Sequence, residues 1–169
     1  MAKRKEAGYC PFLPTALVKN GVWYEIVEQY SIENLSAFIE EKIYEFKQLP
    51  PVNSDRKYKT LILIFPNIPF RPAQEMLDAV QEELKHFIIH HKIVIGGFSS
   101  NNEHNTLHFI LRYLIEQDLS FLLKTKSLTD KVNYLQSYLK TFKTTLTNKQ
   151  YELATYELNK AKKYQTNKV

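Results

Sequence analysis

One cysteine, four glycines and no long apolar run bound what this chain can be. Cys10 alone cannot close an internal disulfide, so no oxidising compartment is needed for folding. The longest apolar stretches, LILIF and the FII after His86, are far too short to cross a bilayer. The N-terminal MAKRKEAGY is charged and lacks the apolar centre of a secretory signal, so the expected location is the cytoplasm, with no membrane association. Neither G-x-x-x-x-G-K nor G-x-G-x-x-G occurs, which argues against the familiar ATP and NAD enzymes. No nucleophile elbow, internal repeat or low-complexity segment is present, and the carboxylates are scattered rather than paired at strand ends.

What is present suits a single globular domain: 169 residues, 44% apolar and 13% aromatic, enough for a core. The net charge of +5 is gathered at the ends. Lys3, Arg4 and Lys5 open the chain, and Lys140, Lys143, Lys149, Lys160, Lys162, Lys163 and Lys168 crowd its last thirty residues. Nucleic-acid sites usually interleave arginine with aromatics on one face. This excess is mostly lysine on helix exteriors and chain ends, which disfavours nucleic acid as a partner.

Each glycine marks a local event. Asn20-Gly21 signals a turn, and the β-branched and aromatic run after it predicts a strand over 22–29. Ser31 stands where an N-cap would, with Leu35, Phe38, Ile39, Ile43 and Phe46 at helical spacing until Pro50-Pro51. TLILIF, 60–65, is apolar without alternation, the pattern of a central strand covered on both faces. Pro72 fits the first turn of a helix whose stripe is Met76, Leu77, Val80, Leu84, Phe87 and Ile88. IVIGGF, 93–98, and LHFILRYLI, 107–115, predict two more strands joined by the polar SSNNEHN. Beyond Asp118 only helices are indicated, with capping boxes at Ser127–Asp130 and Thr147–Gln150. The expectation is an α+β fold: a small mixed four-stranded sheet in the order β-α-β-α-β-β, two crossover helices, and a C-terminal helical hairpin. The expected organisation is a flexible basic start over 1–7, an α+β domain over 8–123, and the hairpin packed on it over 124–169.

Few residues offer chemistry. His86 and His90 are four apart, as two ligands of one metal can be on a helix, yet they lie off the apolar stripe and no H-E-x-x-H occurs. A solvated helix face is the better reading, and no metal site is expected. His104 lies with Glu103 and His108 around the connection between the last two strands, where binding residues favour rigidly held loops. Cys10, flanked by Tyr9, Pro11 and Phe12, has no cationic neighbour beyond the basic start to lower its pKa, and reads first as a core plug. Cys10 and His104 are the catalytic candidates.

In order, CPFLPTAL, TLILIFPNIP, IVIGGF and ILRYLIEQDLSFL resemble a bacterial family classed as a domain of unknown function, whose members turn up beside or within nonribosomal peptide synthetase systems. The resemblance covers residues 8–123. The family's C-P-F opening is kept at Cys10, Pro11 and Phe12. Where the family reads G-Q-F-H-P, this chain has Gly96, Gly97, Phe98, Ser99 and Ser100. The R-S-P segment is absent, the connection is shorter, and Arg112 stands in the arginine position of the L-A-I-R-like strand. If relatives work through the missing histidine, His104 is the nearest substitute. A looser similarity of the C-P-F opening to haem-dependent N-oxygenases implies haem, with Cys10, His104 or His108 as axial candidates.

These readings favour a cytoplasmic small-ligand-binding or accessory protein with a pocket between Cys10, Phe12, Gly97, Phe98 and Arg112. The arginine would supply a cation for a carboxylate or phosphate. One alternative is a haem- or metal-dependent tailoring enzyme of oxygenase type. Another is an interaction module that meets a protein partner through residues 127–169.

Overall fold

In the computed structural model, residues 13–99 and 106–166 are described. Cys10, Phe12 and His104 lie outside them. The first element is a short helix that the sequence reading did not anticipate, α1 (Leu13–Val18), with Pro14 in its first turn, where a missing N–H costs nothing. Asn20 then takes a left-handed φ of 50°, which asparagine tolerates. Gly21 follows with no room for a side chain, since a Cβ there would lie 2.8 Å from the Tyr58 carbonyl oxygen. That tight passage starts β1 (Val22–Ile26). A 3₁₀ turn leads into α2 (Leu35–Gln48), whose stripe Leu35, Ile39, Ile43 and Phe46 is buried as the helical spacing predicts. Next come β2 (Thr60–Phe65), α3 (Phe70–Glu83), α4 (Lys85–His91), β3 (Ile93–Ser99) and β4 (Leu107–Tyr113). The apolar stripe expected to form one helix is thus divided at Leu84, which leaves helical geometry with ψ near 3°.

The fold is α+β, with a four-stranded mixed sheet in the order β1-β2-β4-β3. β1 runs parallel to β2, whereas β4 is antiparallel to both β2 and β3. β4 therefore slots between the two parallel strands that α3 and α4 connect. The chain divides into two compact units. One comprises residues up to Lys85 together with Ile93–Tyr113; the other comprises His86–Lys92 and the chain from Leu114 onward.

In the second unit, α5 (Leu119–Leu122), α6 (Leu128–Phe142) and α7 (Asn148–Thr166) enclose their own core. Leu119, Val132, Leu135, Tyr138, Ala154, Leu158 and Ala161 are buried together. The buried Tyr138 hydroxyl donates to the Glu116 carbonyl at 2.5 Å, so burial leaves no polar orphan there. The Thr147–Gln150 box at the head of α7 is complete. The Thr147 N–H donates to Gln150 Oε1 at 3.1 Å, and the Gln150 N–H donates to Thr147 Oγ1 at 3.3 Å.

Candidate functional site

The sheet has two unlike faces. On one lie Leu61, Leu63, Phe65, Phe109, Leu111, Ile93 and Ile95, all buried. Helices α2 and α3 cover them: Phe38 meets the Phe65 ring at 6.3 Å, Phe46 meets Tyr113 at 5.2 Å, and Gln81 Nε2 donates to the Ile95 carbonyl at 2.8 Å. Along β2 burial strictly alternates, so the expectation that this strand is covered on both faces is corrected. Ile62 and Ile64 are only half-buried although they are as apolar as their neighbours.

Register assembles the second face in rows across the strands. One row is Val22, Thr60, Arg112 and Val94; the next is Tyr24, Ile62, Ile110 and Gly96. In the third row, Ile26, Ile64 and His108 are followed by residue 98. Tyr24 is 72% exposed and Ile26 58%, while Val94, Ile110, His108 and Arg112 are half-buried. This is an apolar platform bearing one guanidinium and one imidazole.

The adjacent glycines serve opposite faces. A Cβ on Gly97 would fall 2.7 Å from both Leu77 methyls and 3.0 Å from the His108 carbonyl oxygen, so Gly97 lets α3 approach the sheet. A Cβ on Gly96 would meet nothing within 4 Å. Gly96 therefore leaves a shallow opening in the platform, between Ile110 alongside and the Arg112 row. Of the residues singled out from sequence, Arg112 lies in the platform, and Phe98 is opposite His108 in the register. Gly97 is on the helix-covered side.

Chemically, a guanidinium such as that of Arg112 can pair with a carboxylate or phosphate, and the isoleucines and Tyr24 can cover an apolar body. Its Nη1 donates to the Tyr113 carbonyl at 3.1 Å, which fixes one edge of the guanidinium. Haem or metal chemistry would need ligands brought together. Among the described residues no group of three His, Cys, Asp or Glu side chains gathers for a metal, and His108 is the one axial candidate that is described.

A second cation escaped the sequence reading altogether. Lys59 is fully buried at the head of β2, and its Nζ donates to the carbonyls of Lys47 and Leu49 at 3.2 and 2.5 Å. These carbonyls end α2, where the helix dipole is negative, and the ammonium also sits 5.1 Å from the Phe46 ring and 5.7 Å from that of Tyr113. Burial, helped by the Arg56 charge, pulls the Lys59 pKa below its ordinary value. Out of reach of solvent, it ties helix to sheet rather than meeting a ligand. No local pattern distinguishes this lysine from the exposed Lys57 two residues earlier.

Residues 5–153 match the sequence profile of a family described as a domain of unknown function, DUF6875. The match runs past residue 123, where the resemblance read from sequence stopped, through α6 and into α7. Searches of curated proteins and of solved structures find no match.

Proposed function

We propose a binding function for this protein, which belongs to the domain-of-unknown-function family DUF6875: it holds a small amphipathic carboxylate on the half-exposed face of its sheet. The reading rests on one observation, the open space at Gly96 beside Ile110 and next to the Arg112 row. Arg112 takes the carboxylate, while Ile62, Ile110 and Tyr24 cover the apolar part. The resemblance to a family found near nonribosomal peptide synthetase systems favours an amino-acid or peptide carboxylate, which an accessory protein would bind without transforming it.

Calorimetry on the full chain with N-acetylphenylalanine and its amide tests the reading. The acid should bind at least about tenfold more tightly than the amide, as one charge-assisted pair implies. Arg112→Gln should erase the difference, and Ile110→Thr should weaken both ligands. Equal binding of acid and amide, or an Arg112→Gln variant that still prefers the acid, overturns it.

A further inference from the structure

We propose that His86 and His90, on the exposed side of α4, form a two-imidazole site for a divalent transition-metal ion. The inference does not depend on the ligand assigned to the sheet. It begins with where the histidines are. Three of the chain's five, His86, His90 and His91, fall within the seven residues of α4. Histidine is a mediocre helix former, so a helix face meant only for water would more readily carry lysine or glutamate.

α4 is helical from Lys85 to His91, so the four-residue interval in the sequence becomes a separation of one turn in space. On a helix, residues four apart lie about 40° from each other around the axis. Their Cβ atoms are about 5–6 Å apart, a separation from which two imidazoles can close on one ion. Both side chains are exposed, and Ile88, the buried residue of this helix, lies on the opposite side from them. Among the described residues neither His86 nor His90 spends a ring nitrogen on a hydrogen bond, so both can coordinate. His91 is set apart by packing, its ring lying 4.3 Å from that of Phe87.

Charge bears on the site from both ends of the helix. His90 stands in the last turn, at the negative pole of the helix dipole, which favours a cation. Lys85 and Lys92 oppose it. The first is paired with Glu82 at 2.5 Å, and the second is exposed, where salt screens it. Two nitrogen donors also select the class of ion. Imidazole suits nickel, copper and zinc, whereas magnesium and calcium require oxygen ligands. Two protein ligands fall short of the three or four that hold a catalytic or structural zinc, so this site takes its ion reversibly and leaves positions for water.

Nickel chloride titrated calorimetrically into the full, untagged chain tests the proposal. Nickel avoids the oxidation of Cys10 that copper would bring. Nickel should bind more tightly than cobalt, cobalt more tightly than manganese, and magnesium not at all. His86→Ala and His90→Ala should each weaken nickel binding about tenfold or more, since losing even a group that supports a metal ligand costs that much. Neither should change the melting temperature measured without metal. Lys85→His combined with His86→Ala restores the number of histidines but sets the pair about 140° apart around the helix, and should bind no better than His86→Ala alone. The proposal is overturned if nickel does not bind, if either alanine variant binds as the wild type does, or if the displaced pair recovers full affinity. It is equally overturned if Cys10→Ser abolishes binding and the histidine variants do not, which would place the ion at the thiol.

Discussion

Along β2, Leu61, Leu63 and Phe65 are buried on the side of the helices, while Ile62 and Ile64, in between, stay half-exposed on the other. The same contrast runs through β4, where Leu107, Phe109 and Leu111 are buried and His108, Ile110 and Arg112 are not. Both faces are rich in β-branched and aliphatic side chains, but only one has a core built on it. On the buried side apolar residues are explained by folding, through the removal of surface from water. On the other side the same residue types gain only part of that benefit, and this is the face that the proposed ligand site uses. Arg112 lies in the same half-buried face, opposite Thr60 on β2 and Val94 on β3.

The largest difference between the faces should appear on truncating adjacent residues of β4. Phe109 is fully buried and stacks edge-on against Phe65 at 5.4 Å, so Phe109→Ala should cost about 3–5 kcal/mol in urea unfolding. Ile110→Ala, one residue on and half-buried, should cost about 1 kcal/mol or less, scaled to its smaller loss of buried area. Equal losses would show that the second face is as much a folding core as the first and would dissolve the comparison.

A smaller effect is expected where the buried face is anchored to α2. Lys59→Ala leaves the carbonyls of Lys47 and Leu49 without their donor and empties the space beside Phe46 and Tyr113, for a cost of about 2–4 kcal/mol. The sign of its pH dependence follows from the lowered pKa. Between the folded value and the ordinary 10.5, the unfolded chain binds the extra proton, so wild-type stability gains from this group as pH rises through that window. Chemical unfolding across alkaline pH should show that contribution flattened in Lys59→Ala. An unchanged profile and unchanged stability would mean that Lys59 does not anchor the helix.

Much of this architecture is legible in the sequence because it is local. β-branched runs mark the four strands, the stripe from Leu35 to Phe46 marks α2, and Thr147 with Gln150 marks the start of α7 by a hydrogen-bonding pattern that forms as written. What was missed depends on distant neighbours. The insertion of β4 between β2 and β3 is a long-range pairing, and no property of TLILIF reveals that helices cover just one side of it. The division at Leu84 interrupts an unbroken apolar stripe, so periodicity could not mark it. The candidate platform was legible only in part: Arg112 stood out as a cation in a strand, but Gly96 acquires significance only from the open space beside it, which no sequence pattern shows.

The smallest and sharpest test sets Gly97 against Gly96. In Gly97→Ala the new methyl meets two Leu77 methyls at 2.7 Å and a backbone oxygen at 3.0 Å. Leu77 is itself buried, so its side chain can yield only by disturbing the packing of α3, and the expected cost is about 1–2 kcal/mol. In Gly96→Ala the methyl enters open space, and alanine restricts the unfolded chain more than glycine does, so stability should stay within about 0.5 kcal/mol or rise slightly. Ligand binding should respond in the opposite order. The Gly96 methyl narrows the opening between Ile110 and the Arg112 row and should weaken N-acetylphenylalanine severalfold, whereas Gly97→Ala, acting behind the sheet, should leave its affinity nearly unchanged. If Gly96→Ala proves the more destabilising of the two, the second face is closed by packing and is not a binding surface. If it is neutral for both stability and binding, the ligand lies elsewhere on the platform, and the observation carrying the proposed function is lost.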